Sequence, residues 1–377
     1  MNVLIAPDSF KDAASAVEVA QCLRSGVEAS GLAANIRAIP LADGGEGTVE
    51  ALVHATGGTF FESNCADPRF RPIRARWGSL GDGETAIIEM AAASGLQLLR
   101  GADRNPWETS TVGTGTLISD ALKAGFRRFI IGIGGSATND GGVGALAQLG
   151  VRFDNEAGKS ISLTGGGLSS LHSIDTDSLM PEVLESQFVV ACDVTNPLTG
   201  PTGAAQVYGA QKGADEQMIR RLDRNLGRFA RIWEAQHGIS IEDLPGAGAA
   251  GGLGGGLMAG LGAKLVRGFE VMRQYAQIDE AIEWADLIFT GEGSIDHQSA
   301  FGKLTWALAE RGHALGTPTI AFGGQTEILH SSGPNPFAAV VPISDQPMTL
   351  ESAIQETPRL LKQAAEQTWR LIHLGAR

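Results

Sequence analysis

The stretch Ile131-Gly-Ile-Gly-Gly-Ser-Ala-Thr-Asn-Asp-Gly-Gly-Val-Gly144 joins an apolar run directly to glycines, small hydroxyls, an amide and a carboxylate. Residues 129–133 are β-branched or aromatic at four of five positions, as a buried strand requires. The apolar residues Val143, Leu146 and Leu149 follow at three-residue steps, which indicates one face of a helix. The stretch therefore predicts a strand, a glycine-rich turn and the start of a helix.

The turn in this stretch has the composition of an anion site. Its first two glycines would let the backbone approach a bulky anion, its hydroxyls add donors, and its amide and carboxylate are favourable helix caps. It lacks the lysine pattern of a P-loop, and Ala137 stands where a dinucleotide fingerprint has its third glycine. A plain strand-to-helix turn is the alternative interpretation. The residues that we expect to bind phosphate are Gly134, Gly135, Ser136, Thr138 and Asn139.

The composition limits the class of protein. The 377 residues are enough for two domain cores, and the formal net charge of −13 argues against a nucleic-acid surface. The cysteines Cys22, Cys65 and Cys192 lack metal-like spacing and no signal peptide is recognisable, which predicts free thiols and a cytoplasmic protein. No segment reaches the roughly 18 apolar residues of a membrane span, so no membrane partner is expected.

Two apolar runs near the N-terminus, residues 3–6 and 36–41, are each followed by polar side chains. In open α/β sheets ligands bind at such carboxyl ends of strands. The alternatives are a solvated lysine in the first loop and, in the second, either a helix-capping aspartate or two carboxylates that hold Mg²⁺ or substrate hydroxyls. From these loops we select Asp8, Ser9, Lys11, Asp43 and Glu46 as candidate site residues.

Two later runs, residues 187–192 and 286–290, are also followed by carboxylates. Asp193 follows the first run and precedes a loop of prolines and glycines, which suits a general base; a turn-capping aspartate is the alternative. Glu292 and Asp296 follow the second run. The loop after Asp193 also supplies two candidate substrate or phosphate ligands, Asn196 and Lys212.

The pattern of apolar and polar residues along the chain predicts two domains. Three short alternating runs between residues 59 and 90 are typical of antiparallel strands, whereas the late strands resemble the first two. We therefore expect an α/β protein with two α/β domains. One is a doubly wound, Rossmann- or flavodoxin-like parallel sheet formed by both chain ends, residues 1–58 and 282–377. The other is an inserted mixed α/β domain, residues 59–281, which carries the central glycine-rich loop.

Acidic strand ends combined with glycine loops and lysines suit phosphoryl transfer. That reaction needs N–H groups and a lysine for phosphate oxygens, carboxylates for Mg²⁺, and an acid that orients the acceptor hydroxyl. A Ser-His-Asp triad is disfavoured, because His297 is the one histidine in these loops and no G-x-S-x-G motif occurs. An NAD-dependent hydroxyacid oxidoreductase would need a complete dinucleotide fingerprint, which is absent.

Over nearly the whole chain, these motifs resemble those of the bacterial glycerate kinases of type I, in the order of that family. In one-letter code they are APDSFK (6–11), PLADGGEGT (40–48), GIGGSATNDGG (132–142), CDV (192–194), NPLTGP (196–201), QKGA (211–214) and GEGSID (291–296).

The resemblance implies ATP-dependent phosphorylation of D-glycerate on its 2-hydroxyl, which gives 2-phosphoglycerate and ADP, with ATP and Mg²⁺ as cofactors. For this reaction we expect Asp193 and Lys11 to be catalytic and Asp193, Glu292 and Asp296 to be metal ligands. A homo-oligomer is left open. The alternative is a catalytically silent nucleotide or sugar-acid sensor on the same scaffold.

Three positions depart from the pattern of the family. Asp12 stands where the family usually has glycine, Thr195 where it usually has an acid, and Ala210 where it usually has proline. If the acid missing at Thr195 bound metal, Asp193 would do so with fewer partners.

Overall fold

The computed structural model describes residues 1–295, 304–326 and 335–375. Over these residues the strands are β1 (Asn2–Ile5), β2 (Asn35–Ala38), β3 (Thr59–Ala66), β4 (Pro72–Ser79), β5 (Thr85–Glu89), β6 (Arg128–Gly132), β7 (Arg152–Asp154), β8 (Ser173–Asp175), β9 (Gln187–Ala191), β10 (Lys264–Val266), β11 (Leu287–Ile295), β12 (Thr319–Thr326) and β13 (Ala339–Pro342). The helices are α1 (Ala16–Ala29), α2 (Thr48–Thr56), α3 (Ala91–Ser94), α4 (Val112–Lys123), α5 (Val143–Gln148), α6 (Pro181–Leu184), α7 (Ala204–Tyr208), α8 (Glu216–His237), α9 (Leu253–Leu261), α10 (Gly268–Tyr275), α11 (Ile278–Trp284), α12 (Leu304–Leu315) and α13 (Leu350–Gly375).

The chain divides into two compact units. The terminal unit comprises Met1–Asp43, Glu50–Gly57 and Gly268–Arg377, and the central unit comprises Gly44–Val49 and Gly58–Arg267. This division differs from the expected domain boundary after residue 281. The reason is that α10 and α11 both pack against α12, and α11 also packs against β1.

The terminal unit is built on a parallel sheet of five strands in the order β13-β12-β11-β1-β2. Counted within this unit alone, that order is 2-1-3-4-5, which is the flavodoxin-like arrangement. The chain order reverses between β1 and β11, and ligands bind outside the carboxyl ends of strands at such a switch point. The expectation of a doubly wound sheet formed by both chain ends is confirmed.

Alternate residues of these strands bury opposite faces of the sheet. Val3, Ile5 and Phe289 share one core cluster with residues of α1 and α13. On the other face, α12 packs so closely that a β-carbon on its Gly312 would lie 2.8 Å from Cδ1 of Ile288. Both faces are therefore covered, which explains why strands such as β1 are almost continuously apolar.

The central unit contains a mixed sheet of six strands in the order β10-β9-β6-β5-β4-β3. β3, β4 and β5 pair antiparallel, as their alternating sequence predicts, whereas β5, β6, β9 and β10 pair in parallel. A small antiparallel pair, β7 and β8, lies in a stretch whose sequence was uninformative. The carboxyl ends of four parallel strands thus meet at one edge of this sheet.

Two further observations concern the helices. The apolar residues spaced three apart after residue 142 predict a helix there. That helix is α5, and it is short, with six residues. None of the helices in the described part of the chain has the length and apolar character that a membrane crossing requires.

We expect Asp12→Gly to raise the free energy of unfolding by about 0.5 kcal/mol. Asp12 has a φ of 64°, in the left-handed region that glycine adopts without steric cost, and it lies in a turn where Phe10 and Ala14 exchange backbone hydrogen bonds of 2.9 Å. Urea unfolding measures the change. Asp12→Ala is the matched control: it keeps the β-carbon that the left-handed conformation disfavours, and alanine tolerates that conformation less well than aspartate, so this change should destabilise. An equal gain in both variants would show that the carboxylate, not the backbone, is responsible.

Candidate functional site

The terminal unit brings two strand-end carboxylates together at its switch point. After β1 the chain continues alongside β11, because Ala6 N donates to Phe289 O at 2.8 Å and Asp8 N donates to Gly291 O at 2.9 Å. Glu292 lies within β11 and is 6% exposed, and one of its carboxylate oxygens accepts a hydrogen bond from Thr305 Oγ1 of α12.

Asp8 is the electrostatic centre of this group. Its pKa is raised to about 7, chiefly by burial and in addition by the charges of Asp43 and Glu292. The Ser9 N–H, which donates to Asp8 Oδ1 at 2.6 Å, acts in the opposite direction. Four sequence-predicted site residues of this unit, Asp8, Ser9, Asp43 and Glu292, are therefore linked by contact or charge. Neighbouring like charges of this kind favour retention of a proton by one of the carboxylates.

Of the two other predicted residues of this unit, Lys11 is the one that the structure describes. Lys11 is exposed, and its backbone lies close to Gly293 of β11, where an added β-carbon would come 3.6 Å from Lys11 N. Asp296 lies outside the described residues.

In the central unit, part of the glycine pattern serves backbone packing. Gly134 N donates to Gly44 O at 3.0 Å, and a β-carbon on Gly134 would lie 2.6 Å from Gly45 Cα. A β-carbon on Gly132 would lie 2.5 Å from Gly44 O. Two glycine-rich loops that are far apart in sequence thus touch through their main chains. By contrast, Gly135 has a φ of 73°, and the nearest neighbour of an added β-carbon would be 3.6 Å away.

Lys212 contacts the polar part of the same turn through the nitrogen at the end of its side chain. It is 2% exposed, and its Nζ donates to Ser136 Oγ and to Thr138 O, both at 2.7 Å. The pKa of Lys212 is lowered to about 7, because the effect of burial outweighs the opposing effect of the nearby charge of Asp140. The expected phosphate ligand is therefore a buried lysine that binds the turn itself.

Asp140 is fully buried and holds the turn to α4 and α5. Its carboxylate accepts hydrogen bonds from Thr111 N and Thr111 Oγ1, both at 2.8 Å, and from Gly142 N and Gly144 N at 3.1 and 3.3 Å. Burial raises its pKa, and these donors lower it. Sequence reasoning identified Asp140 as a helix cap, and its bonds to the start of α5 agree with that role.

The residues between Ser136 and Asp140 carry unused polar atoms. Thr138 and Asn139 are both fully buried, and within the described part of the chain Thr138 Oγ1, Asn139 Nδ2 and Asn139 Oδ1 have no hydrogen-bond partner. Leaving buried polar groups unpaired is unfavourable. This turn is therefore the place in the central unit where a polar ligand or ordered water would gain most.

The loop after β9 is internally braced. Asp193 lies two residues beyond the end of that strand and is exposed. Asn196 uses both ends of its amide within the loop, since Nδ2 donates to Thr202 O and Oδ1 accepts from Tyr208 OH, each at 2.8 Å. Asn196 thus fixes the shape of the loop that follows Asp193.

Glu89 is a candidate that sequence reasoning missed. It ends β5 and accepts the N–H of Val49 at 2.6 Å, at the start of α2. Its pKa is raised to about 7, chiefly by burial and also by the charge of the exposed Glu46, although the N–H groups of Val49 and Gly47 act in the opposite direction. Its place at the end of a run of apolar residues, like that of the other strand-end carboxylates, was the signal that could have identified it.

The expected metal ligands do not form one described cluster. Asp193 belongs to the central unit and Glu292 to the terminal unit, and Asp296 lies outside the described residues. Among the residues that the structure describes, no three histidine, cysteine or acidic side chains are grouped as a metal site.

Comparison with known proteins gives a consistent family. The model of the glycerate kinase family matches residues 3–373. The chain is 45% identical over 346 residues to the glycerate kinase of Bacillus subtilis (strain 168), covering 91% of each protein. It is 44% identical over 337 residues to the glycerate 2-kinase of Escherichia coli (strain K12), covering 88% of each. A crystal structure from Salmonella typhimurium LT2, named "putative glycerate kinase 2", matches with a TM-score of 0.90 and 41% identity over 100% of this chain and 99% of that one.

We expect Asp8→Asn to stabilise the protein at pH 8. The pKa of Asp8 is about 7 in the folded protein against 3.8 ordinarily, so the native state binds more protons between these values. Stability is therefore lost as the pH rises through this window, and the amide removes that loss. The gain should be about 1–2 kcal/mol, discounted for partial exposure.

Thermal unfolding at pH 4 and pH 8 tests this expectation, with a gain at pH 8 and little change at pH 4. Asp82→Asn is the opposite control. Asp82 accepts hydrogen bonds from Glu84 N, Thr85 N and Thr85 Oγ1, and its pKa is lowered, so the amide should destabilise at pH 8. Destabilisation by Asp8→Asn at pH 8 would contradict the conclusion that the ionised Asp8 carboxylate destabilises the folded protein.

Proposed function

The chain belongs to the glycerate kinase family, and from this premise we propose that it transfers the terminal phosphoryl group of ATP to D-glycerate. The acceptor in this proposal is the 2-hydroxyl, and the products are 2-phosphoglycerate and ADP. The observation that carries the proposal is the turn from Ser136 to Asn139, which is buried, polar and supplied with unpaired donors and acceptors. Recognition of phosphate oxygens or of a small hydroxyacid requires such groups.

Each unit contributes its own candidate residues to this proposal. In the terminal unit we assign substrate binding to Asp8, Ser9, Lys11 and Asp43, and in the central unit we assign substrate or phosphate binding to Gly134, Gly135, Ser136, Thr138, Asn139, Glu46 and Asn196. The exposed ammonium of Lys11 is suited to an anionic group, because a protein with a net charge of −13 must hold anions through local cations and N–H groups.

ATP and Mg²⁺ are the cofactors of this proposal. Carboxylate oxygens are the ligands that Mg²⁺ prefers, and Glu292 and Asp296, both of the terminal unit, are the proposed ligands. Burial and then the charges of Asp43 and Glu292 raise the pKa of Asp8, and a cation bound near Glu292 would relieve the repulsion among these carboxylates. The hydrogen bond from Thr305 would orient Glu292 for such a role. When bound, Mg²⁺ neutralises phosphate charge during transfer.

Asp193 is the proposed acceptor of the hydroxyl proton. A secondary hydroxyl is a weak acid, so a carboxylate accepts its proton late, as the phosphoryl group is transferred. The brace formed by Asn196 and Tyr208 supports the loop that carries Asp193. The three free cysteines are in keeping with a cytoplasmic enzyme, which is also part of the proposal.

Turnover of D-glycerate should release ADP and form a product that enolase converts without added mutase. Only 2-phosphoglycerate is a direct enolase substrate, so the coupled assay reads both the reaction and the position of transfer. L-Glycerate and omission of ATP are the controls. A mutase requirement would reassign the product to the 3-phosphate, and nucleotide binding without ADP release would favour the sensor.

Asp193→Asn should lower kcat by roughly 10²- to 10⁴-fold, the range for loss of a positioned acid or base, while ATP binding survives. We expect excess Mg²⁺ to leave this loss unchanged but to restore part of the activity of Glu292→Gln and Asp296→Asn, because a lost metal ligand weakens the metal site. Asp177→Asn, a change at an exposed aspartate of the central unit, controls for charge. If excess Mg²⁺ restored the activity of Asp193→Asn but not that of Asp296→Asn, Asp296 and not Asp193 would be the base.

A further inference from the structure

We propose that Lys212 is a positioning residue that fixes the Ser136–Thr138 turn and does not itself touch substrate or phosphate. The proposal rests on the proposed function, because it names how the phosphate-binding turn of that function is shaped. It also reassigns Lys212, which its sequence motif suggested as a ligand.

Burial separates Lys212 from the other described lysines. It is 2% exposed, whereas Lys11, Lys123, Lys159, Lys264 and Lys362 are exposed. Burying an ammonium group is costly unless it is paired. Here the compensation comes from Ser136 Oγ and Thr138 O, each 2.7 Å from Nζ, and from the charge of Asp140. Two of the donors of the ammonium are therefore used within the protein.

These two bonds orient the groups that a ligand would meet. Because Ser136 Oγ accepts from the ammonium, the hydroxyl hydrogen points elsewhere and can be donated. Because the Thr138 carbonyl points to Lys212 and the peptide is planar and trans, the following N–H of Asn139 points in the opposite direction. Lys212 thus sets the direction of one side-chain donor and one backbone donor.

The rest of the unit holds the same turn at other atoms. Leu96 N donates to Gly135 O at 2.8 Å, Ala137 N donates to Ser94 O at 3.0 Å, and Thr109 Oγ1 donates to Ala137 O at 2.9 Å. These bonds fix the peptide groups of Gly135 and Ala137. The hydroxyl of Ser136 and the carbonyl of Thr138 are fixed by Lys212.

The backbone that delivers Lys212 is itself tightly placed. Lys212 ends a single turn of 3₁₀ helix, and Gly213 follows with a φ of 96°. A β-carbon on Gly213 would lie 2.0 Å from Arg104 O, so another residue would displace the turn. The backbone of Lys212 is therefore fixed as well, which a residue that positions the Ser136–Thr138 turn requires.

Lysine labelling of the wild-type enzyme tests the proposal directly. A lysine whose pKa is near 7 would be unusually reactive if it were accessible, so slow labelling reports burial and not protonation. With an amine-reactive acylating reagent and peptide mass spectrometry, we expect Lys11 and Lys264 to react in the native protein. Lys212 should react only after unfolding, whether MgATP and D-glycerate are present or absent. Rapid labelling of Lys212 that either ligand suppresses would overturn the proposal.

A double-mutant cycle supplies the kinetic test. Lys212→Met should lower kcat/KM by roughly 10- to 100-fold, the effect of a misplaced binding group. In a Ser136→Ala background the same change should lower it by a clearly smaller factor, because Lys212 acts in part through that hydroxyl. Equal factors in both backgrounds would show that Lys212 acts on the substrate independently. If Lys212→Met does not fold, the labelling result decides. Wild-type enzyme without ADP release would instead refute the proposed function, before any variant is compared.

Discussion

Parallel strand pairing is the constraint on which the rest of the structure depends. All strands of a parallel sheet end at the same edge, so residues far apart in sequence meet there. In the terminal unit this places the residues after β1 beside β11, across the bond between Asp8 N and Gly291 O. In the central unit it gathers the ends of β5, β6, β9 and β10. Candidate residues therefore come from short loops, each attached to a buried and rigid strand.

The same constraint concentrates unfavourable electrostatics at these edges. Asp8, Glu89 and Asp140 all have raised pKa values for which burial is the largest cause, and the buried Lys212 has a lowered one. A fold selected for stability alone would replace such groups with apolar ones of similar size. Their presence in or next to glycine-rich loops, and the amide of Asn139, which has no partner among the described residues, are what is expected where local stability is given up for binding or chemistry.

The sequence predicted the strands and their ends well, because apolar runs closed by glycine or proline are local patterns. It could not separate the two uses of glycine. Gly132 and Gly134 pack against the backbone at Gly44 and Gly45, a contact that depends on which loops the fold brings together. Likewise, the motif around Lys212 indicated a lysine of importance, but burial and direction depend on tertiary structure. Glu89 was missed for the same reason, since its partner helix starts forty residues earlier in the chain.

The departures from the family pattern leave this framework intact. Thr195 is exposed in the loop after Asp193, so an acid there would add charge to solvent-facing backbone and not to the buried network. Ala210 is the first residue of the 3₁₀ turn that ends at Lys212, a position where the fixed φ of proline would only pre-form the same turn. Asp12 adopts the left-handed conformation that glycine would adopt there. Each substitution therefore changes the rigidity or charge around a loop, while Lys212, its partners Ser136 and Thr138, Asp140 and Glu292 all lie in motifs that resemble those of the family.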